Sequence, residues 1–574
     1  MPKGPIRRLI VSVVMVAAAL LPAQAEDASR VEHWRSDLSY LDQVIRTRHP
    51  MAFARVSENA YAAQVRKLHD AIPNLSDTQI SLEMMRIAGT LRDGHTLLDP
   101  TASEPFATGW YPVRFYWFAD GLYITSIATN LAEAVGKRVT HIGGSPAAEV
   151  AADAAALMGA DNRFGDLNNT FFLSSARVME ALGHASPSQP LNVRIAKGEE
   201  TAEIEIPAVE GPGDIEWRFY GEFFAPFWNS DVIELTTAFG QLSPVELYRG
   251  THEQLPLHLR HRRPYGITYL ESADAVHFAF NNVVRSHREV RFEQVLDELF
   301  ATLDAHPDAS LIIDLRYNSG GDGSIVRGLV HRILQREKLN RYGRLYAITG
   351  RKTFSAALNF LGILAANTEV IVVGEPPSAE VNMFGDALPY VLPHSGMTLH
   401  LSQSYFQFTE SSENPGRDTL FRIDVPVLMR ADDYFSGRDP VLERILSGND
   451  LRPLAALAFE LSPSQLRSIY QSRIAAYGQH EWWRASDRNR LHIAGLDLLA
   501  AERVDEALAA LKINAEVHPG WWRAWDDLAQ AHRRAGNEER AMVYFRHSLE
   551  LEPGNDHARQ AIEELADAKE GATD

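Results

Sequence analysis

The stretch of sequence that decides the fold lies near the middle of the 574-residue chain and reads Leu311-Ile-Ile-Asp-Leu-Arg-Tyr-Asn-Ser-Gly-Gly321. Its first half, Leu311 to Leu315, is a short apolar run of the kind that forms a buried strand. Its second half is a glycine-rich turn. The amphipathic stretch Ser324 to Leu334 follows and predicts a helix. Strand, turn and helix therefore follow one another here as one α/β unit.

A second unit repeats this order immediately downstream. Arg344 to Ile348 predicts a strand, Ser355 to Ala366 a helix, and Glu369 to Val373 another buried strand. Such alternation favours a mainly parallel sheet with helices packed on it. We therefore expect an α/β core over residues 264–450.

Composition excludes several classes of function. The chain is 45% hydrophobic and 23% charged, as in an ordinary globular protein, and its net charge is −19. This acidic balance argues against sequence-independent binding of nucleic acid. The chain has no cysteine, which rules out disulfides, cysteine-ligated metal centres and thiol nucleophiles.

The N-terminus has the pattern of a secretory signal peptide. Basic residues precede the apolar run Leu9 to Leu21, which is shorter than the roughly 20 residues a membrane span needs. Ala23 and Ala25 then match an AxA cleavage site. We expect residues 1–25 to be removed, giving a periplasmic or secreted protein with no stable membrane insertion.

Three segments separate the signal from the α/β core. Residues 26–107 have helical periodicity, including a helix that starts with a capping box at Ser76 and Gln79 and is expected to stop at Gly94. Residues 108–208 contain short strand-like runs and predict a small β-rich module. Residues 209–263 show no sustained period and are assigned as a connector.

The C-terminal part repeats itself with a period of 34 residues. The pairs at this offset are Pro519 and Pro553, Gly520 and Gly554, Ala507 and Ala541, and Leu511 and Phe545. This pattern resembles the tetratricopeptide repeat. It implies an all-α tail over residues 463–567, with two repeats packed on a further helix at 463–478 or on the core, and a possible protein partner.

Several motifs occur together and in a fixed order. They are Asp93-Gly-His-Thr96, the stretch Leu311 to Gly321, Thr353-Phe-Ser-Ala-Ala357, Val372-Val-Gly-Glu-Pro376, Leu392-Pro-His-Ser-Gly396, Asp424-Val-Pro426, Asp433-Tyr434 and Asp439-Pro440. Together they resemble the S41 serine peptidases, the family of C-terminal processing and tricorn-type proteases. The module at 108–208 resembles, more weakly, the PDZ-type domain often inserted in that family.

The resemblance implies both a fold class and an activity. The fold class is multidomain α/β, with a helical N-terminal part, a PDZ-like β-rich module, an S41 catalytic core and a tetratricopeptide tail. The activity is that of an exported serine endopeptidase, which cleaves peptide or protein substrates through an acyl-enzyme and uses no metal or organic cofactor.

Ser355 is the candidate nucleophile. A serine at the first turn of a helix leaving a sheet points its hydroxyl out of the turn, and the free N–H of Ala356 points the same way. Gly320 and Gly321 can supply further donors for a developing oxyanion, because they have no Cβ to obstruct the substrate. The plainer alternative makes Ser355 a helix cap and the glycines an ordinary turn.

A general base must accompany this serine. The processing proteases use a lysine at the position that here is Glu380, and Lys352 is the only lysine between Lys338 and Lys512. The tricorn-type branch instead uses a histidine in the N-terminal element, which matches His95.

Other residues compete for roles around this base. His394 is a rival to His95 within the core, and a carboxylate should orient the imidazole. Glu413 is the candidate for that carboxylate and Glu410 its alternative.

Two further functions compete with the peptidase. A catalytically silent S41-like body could act in binding alone, since a fold does not guarantee a function. The PDZ-like module and the tetratricopeptide repeats could instead be the main function, as a scaffold with a peptidase attached.

Overall fold

The computed structural model describes residues 28–100, 109, 111–186, 189–208, 256–260, 263–287, 289–408 and 420–571. The expected signal peptide, most of the connector at 209–263, and both Glu410 and Glu413 lie outside these residues. Within the described residues, no helix is long and apolar enough to cross a membrane.

A six-stranded sheet forms the centre of the molecule. Its strands lie in the order Val425–Pro426, Ile371–Gly374, Leu345–Thr349, Ser310–Asp314, Ala275–Phe280 and Tyr265–Leu270. All neighbouring pairs are parallel except the last, in which Tyr265–Leu270 runs antiparallel to Ala275–Phe280. The mainly parallel α/β core expected from the sequence is thus observed, and its strand Ser310–Asp314 is buried on both faces because helices and loops cover them.

Helices connect and cover these strands. They span Phe292–Ala305, Arg327–Leu334, Ala356–Asn367, Ala431–Phe435, Pro440–Leu446 and Leu454–Leu457. Phe360 of the helix Ala356–Asn367 is fully buried and meets Phe280 of the sheet edge to face, with ring centroids 5.7 Å apart. The predicted bounds of this helix, Ser355 to Ala366, differ from the observed ones by one residue at each end.

The N-terminal half forms a second core. Its helices span 28–48, Glu58–Ala71, Asp77–Gly89, Ala147–Ala155, Arg163–Asn168 and Ala176–Ala181. Its antiparallel sheet has the strands Val113–Phe118, Gly121–Ile127, Arg138–Ile142, Leu191–Lys197 and Glu200–Ile206 in that order, with Ser145–Pro146 paired to Arg138–Ile142. One continuous hydrophobic cluster joins these helices to this sheet, except for Arg163–Asn168, whose Phe164 belongs to the cluster of the central sheet.

The capping box at Ser76 and Gln79 is present, but the predicted end of its helix is wrong. The helix ends at Gly89, and the residue with left-handed backbone geometry is Arg92, with φ of 55°. The chain therefore turns before Gly94, because Arg92, and not the glycine, takes the left-handed conformation that ends the helix.

A three-stranded antiparallel sheet ties the two halves together. Leu97–Asp99, directly after the Asp93-Gly-His-Thr96 turn, pairs with Thr398–Leu401, which pairs in turn with Leu388–Val391. Further short pairs join Met383–Gly385 to Ser404–Phe406 and Ser286–His287 to Val290–Arg291. The pairing with Thr398–Leu401 brings residues near position 95 to the core, about 260 residues before Ser355 in the chain.

The C-terminal region is helical throughout its described part. Its helices span Pro463–Tyr477, Glu481–Ala500, Val504–Val517, Trp522–Arg534, Glu538–Leu551 and Asp556–Gly571. Trp482 packs edge to face on Phe164, and Arg490 is ion-paired with Asp424, whose other oxygen accepts the N–H of Val372 in the central sheet. The hydrophobic cluster of the central sheet continues into the helices from Pro463–Tyr477 to Trp522–Arg534, whereas the buried residues of Glu538–Leu551 and Asp556–Gly571 form a cluster of their own.

Candidate active site

Ser355 occupies a strained position at the start of a helix. It precedes the helix Ala356–Asn367 with φ of 51° and ψ of −128°, a combination that a residue with a side chain rarely adopts. Its hydroxyl does not cap the helix. The alternative in which Ser355 serves only as a helix cap is therefore wrong.

Gly320 lies against Ser355. A Cβ built on Gly320 would lie 2.7 Å from the Cβ of Ser355 and 2.9 Å from the backbone N of Ala356. The φ of Gly320 is +104°, which also favours glycine. Asn318 fixes this turn, since its amide donates to the carbonyl of Phe280 and its backbone carbonyl accepts the N–H of Phe354.

The three predicted oxyanion donors differ in their hydrogen bonding. The N–H of Gly320 donates to the side-chain oxygen of Asn318 at 2.9 Å, so this donor is engaged within the turn. Among the described residues, the N–H groups of Gly321 and Ala356 have no hydrogen-bond acceptor.

Glycine at position 321 makes room for this chain's own backbone, and not for a substrate as the sequence analysis expected. A Cβ there would lie 2.2 Å from the carbonyl oxygen of Val283, so it would meet this chain's own backbone rather than a substrate.

His95 lies beside the residue that precedes Ser355. Its ring stacks on Phe354 with centroids 4.3 Å apart, and a Cβ on Gly94 would lie 2.9 Å from the same phenyl ring. Both ring nitrogens of His95 are buried and have no hydrogen-bond partner among the residues that the structure describes.

A cavity of about 310 Å³ opens beside these groups. Its lining includes His95, Ser319, Lys352, Phe354 and His400. His95 thus borders this cavity together with Ser319 and Phe354, the residues that precede Gly320 and Ser355, and none of the described lining residues is acidic.

Buried hydrogen bonds hold the turn that carries His95. The Asp93 carboxylate accepts from the backbone N–H of His95, the hydroxyl of Thr96 and the ring of His49. Burial alone would raise the pKa of Asp93, but the His49 hydrogen bond, the His95 charge and the hydroxyl donors outweigh it and lower this pKa to about 2. Asp93 is therefore an anion around which the turn is built.

Glu380, which the resemblance to the processing proteases matched with a lysine, is part of a buried ion pair. The Arg55 guanidinium contacts the carboxylates of Glu380 and Asp161, and it donates to the carbonyl of Arg92. Asp161 accepts the N–H groups of Gly94 and Glu380. Glu380 thus belongs to the support of the His95 turn.

His394 lies away from this cavity lining. Its ring stacks on His33 with centroids 4.2 Å apart, and its backbone N–H donates to Asp37. The structure therefore gives His394 a packing role against the first described helix. Glu413 and Glu410 lie outside the described residues.

A buried ionic network under the glycine-rich turn escaped the sequence analysis. Arg316 bridges the carboxylates of Asp314 and Asp439, and these accept from His277 and His258 respectively. Burial would raise the pKa of Asp314, but the Arg316 charge and the His277 hydrogen bond lower it to about 2. The sequence analysis identified Asp314, Arg316 and Asp439 as motif residues but did not predict that they contact one another.

Glu375 of the Val372 to Pro376 motif has a comparable role. Its carboxylate accepts from the backbone N–H and the guanidinium of Arg351, which also donates to the carbonyl of Trp117 in the N-terminal sheet. The Arg351 guanidinium lies 4.8 Å from the ring centroid of Tyr116. This motif therefore fixes the segment before Ser355 to the neighbouring sheet.

The chain matches no protein-family model and no curated protein sequence. Among solved structures, that of a serine-to-alanine mutant of CPAF is similar at 13% identity, over 72% of this chain and 96% of that chain, with a TM-score of 0.50. The D1 C-terminal processing protease of photosystem II (11% identity, 69% and 92% covered) and the tricorn protease (14% identity, 72% and 36% covered) both reach TM-scores of 0.31.

The fold and the order of the motifs define the class of protein. The chain has the fold of an S41-type serine peptidase, as the sequence motifs predicted. The likeness to CPAF concerns the fold, because identity at this level does not transfer individual residues.

The low pKa of Asp93 predicts a pH-dependent stability. Because its pKa is depressed from 3.8 to about 2, its contribution is complete above about pH 4 and is lost as the pH falls towards 2. Asp93→Asn should lower the free energy of unfolding at pH 7 by about 2 kcal/mol, and by less near pH 2. Urea unfolding at both pH values measures this difference. Asp308→Asn, which changes an exposed carboxylate, should have little effect; an equal loss for Asp93→Asn at both pH values would contradict the assignment.

Proposed function

We propose that the protein is a serine endopeptidase that hydrolyses peptide bonds in peptide or protein substrates. The observation that carries this proposal is the strained Ser355, whose hydroxyl leaves its own helix uncapped beside Gly320. The fold supports the same conclusion. The neighbouring His95 turn and the cavity provide a base and a space for substrate.

The reaction would proceed in two acyl-transfer steps. The Ser355 oxygen attacks the scissile carbonyl carbon while His95 accepts the hydroxyl proton. The oxyanion that forms accepts hydrogen bonds from the N–H groups of Gly321 and Ala356. When the C–N bond breaks, His95 returns the proton to the leaving amine and an ester to Ser355 remains. A water molecule, deprotonated by the same base, then hydrolyses this ester.

Glu413 remains the proposed residue that orients His95, with Glu410 as its alternative. A carboxylate hydrogen-bonded to one ring nitrogen would fix the other towards the serine. The unpartnered nitrogens of His95 within the described residues are compatible with a partner supplied from this segment.

Two flanking modules would handle substrate and partners. We assign the antiparallel sheet between Val113 and Ile206 as the PDZ-like module, which would bind extended peptide. We assign the paired helices from Val504 to Gly571 as tetratricopeptide repeats, which would hold a protein partner. Each of these helices contacts the next along the chain, and the sequence repeats at a 34-residue offset, which supports this assignment.

Active-site labelling tests the activity and its residues. A fluorophosphonate probe should label Ser355 of the intact protein, and Ser355→Ala should abolish both labelling and peptide hydrolysis. His95→Ala should slow labelling by about 10²-fold or more, because the serine loses its base. His394→Ala is the matched control and should label at the wild-type rate. An unlabelled but correctly folded protein would favour the binding-only alternative.

The glycine-rich turn supports a second, independent test. Gly320→Ala should lower the rate of hydrolysis by about 10²-fold or more, because its Cβ would displace Ser355 and the Ala356 N–H. Gly323→Ala is the matched control in the same turn, since its Cβ would make only an ordinary 3.5 Å contact with Ala356. Kinetics on short peptides measures both variants. Equal rates for the two variants would remove Gly320 from the site.

Export is proposed from the sequence of the N-terminus alone. The mature chain should begin at Glu26, because signal peptidase cuts after the AxA pattern that ends at Ala25. N-terminal sequencing of protein recovered from the periplasm or the medium tests this. A membrane-bound form that retains Met1 would contradict it.

A further inference from the structure

Three buried charged residues surround the turn that carries His95, and we call them the Arg55 network: Arg55, Asp161 and Glu380. Their side chains are 5%, 0% and 3% exposed. Arg55 contacts both carboxylates, and the backbone N–H of Glu380 donates to Asp161. The three residues come from parts of the chain as far apart as 325 positions.

The network holds the turn by its backbone on both sides of Asp93. The guanidinium of Arg55 donates to the carbonyl of Arg92, the residue with left-handed φ. Asp161 accepts the N–H of Gly94 at 2.9 Å. Arg92 is also held by its own side chain, which makes two hydrogen bonds to Asp166.

Close packing leaves the turn no room to move towards the following loop. A Cβ on Gly159 would lie 2.1 Å from the carbonyl oxygen of Asp93 and 2.7 Å from that of Thr96. Glycine at 159 therefore allows this loop to contact the turn directly. The ring of His95 is in turn fixed against Phe354, next to Ser355.

Stability alone does not account for such an arrangement. Removing charges from water is expensive, and well-packed apolar residues are often as stabilising as a buried ion pair. The Arg55 network nevertheless places one cation between two carboxylates, and both of its acidic members are bonded to each other or to the His95 turn. Its members make hydrogen bonds to backbone atoms of Arg92 and Gly94 in that turn.

We propose that Arg55, Asp161 and Glu380 are positioning residues that hold His95, the proposed base, in register with Ser355. This inference rests on the proposed peptidase function. The network acts through the backbone of the turn and does not touch substrate.

The charge of the network also acts on His95. Other charged or titratable groups lie in or beside the turn of His95 or line the same cavity: Arg92, Asp93, His49, Asp166, Lys352 and His400. His95 interacts electrostatically with both Asp93 and Asp161. Altering the charge of the network while leaving these other groups in place should therefore shift the pH dependence of the reaction.

Two variants of opposite charge change test the proposal in the full-length enzyme. Arg55→Met and Glu380→Gln should each lower kcat by about tenfold to 10²-fold with little change in KM, because the base is misplaced while substrate contacts remain.

The acid limb of the pH profile of kcat/KM should shift in opposite directions in these variants. Arg55→Met removes a cation, favours protonated His95 and moves the limb to higher pH. Glu380→Gln removes an anion and moves it to lower pH. The shift for Arg55→Met should be the smaller one, because burial already raises the pKa of Asp161, which takes up part of the change by binding a proton.

A conservative variant and a matched control complete the design. Arg55→Lys keeps the charge but loses the forked geometry, so it should recover part of kcat and leave the acid limb unshifted. Arg490→Met removes a partly buried arginine that holds a C-terminal helix to Asp424. It should lower the thermal unfolding temperature without altering the pH profile.

The outcomes separate this inference from the proposed function. Equal behaviour of Arg55→Met, Glu380→Gln and Arg490→Met, with a wild-type enzyme that labels at Ser355, would overturn the positioning role alone. A wild-type protein that neither labels nor hydrolyses would overturn the proposed function, and the inference with it. If Arg55→Met does not fold, Glu380→Gln and Arg55→Lys still decide the matter through the pH profile.

Discussion

The antiparallel pairing of Leu97–Asp99 with Thr398–Leu401 is the interaction on which the arrangement of the site depends. It joins a strand of the N-terminal half to one that follows the central sheet, with Leu98 opposite Leu399. Because the pairing fixes both distance and register, the turn immediately before Leu97 can reach only one place on the core. Together with the Arg55–Glu380 and Arg351–Trp117 contacts, it holds His95 and Ser355 in one body.

Local order in this chain was largely predictable from the sequence, whereas long-range polar contacts were not. The helix that begins at Ala356 and the strands on either side of it were predicted to within one or two residues, because apolar runs, glycine turns and caps are local signals. The end of the helix at Gly89 was missed because Arg92, a residue with no preference for left-handed backbone, takes that conformation. Its strain is offset by contacts from distant parts of the chain.

In the candidate site, too, the local features were predictable and the long-range contacts were not. Ser355 and the turn at Gly320 follow from the order of strand, turn and helix. The partners of Arg316 and Arg55 do not, because Asp439 and Glu380 lie 123 and 325 positions away, and a lone charged residue in a sequence carries no sign of its partner. Residues that identify the motifs, such as Arg316 and Glu375, form ion pairs that fix the backbone around the site.

The core that the central sheet shares with the helices from Pro463 to Arg534 has a thermodynamic consequence. Trp482 against Phe164, and Asp424 between Arg490 and Val372, couple the stability of these helices to that of the body on which they pack. Any molecule that binds only the folded helices must then stabilise the whole body, by an amount that grows with the logarithm of its concentration above its Kd. A partner of the tail would thus lengthen the lifetime of the distant Ser355 turn without contacting it.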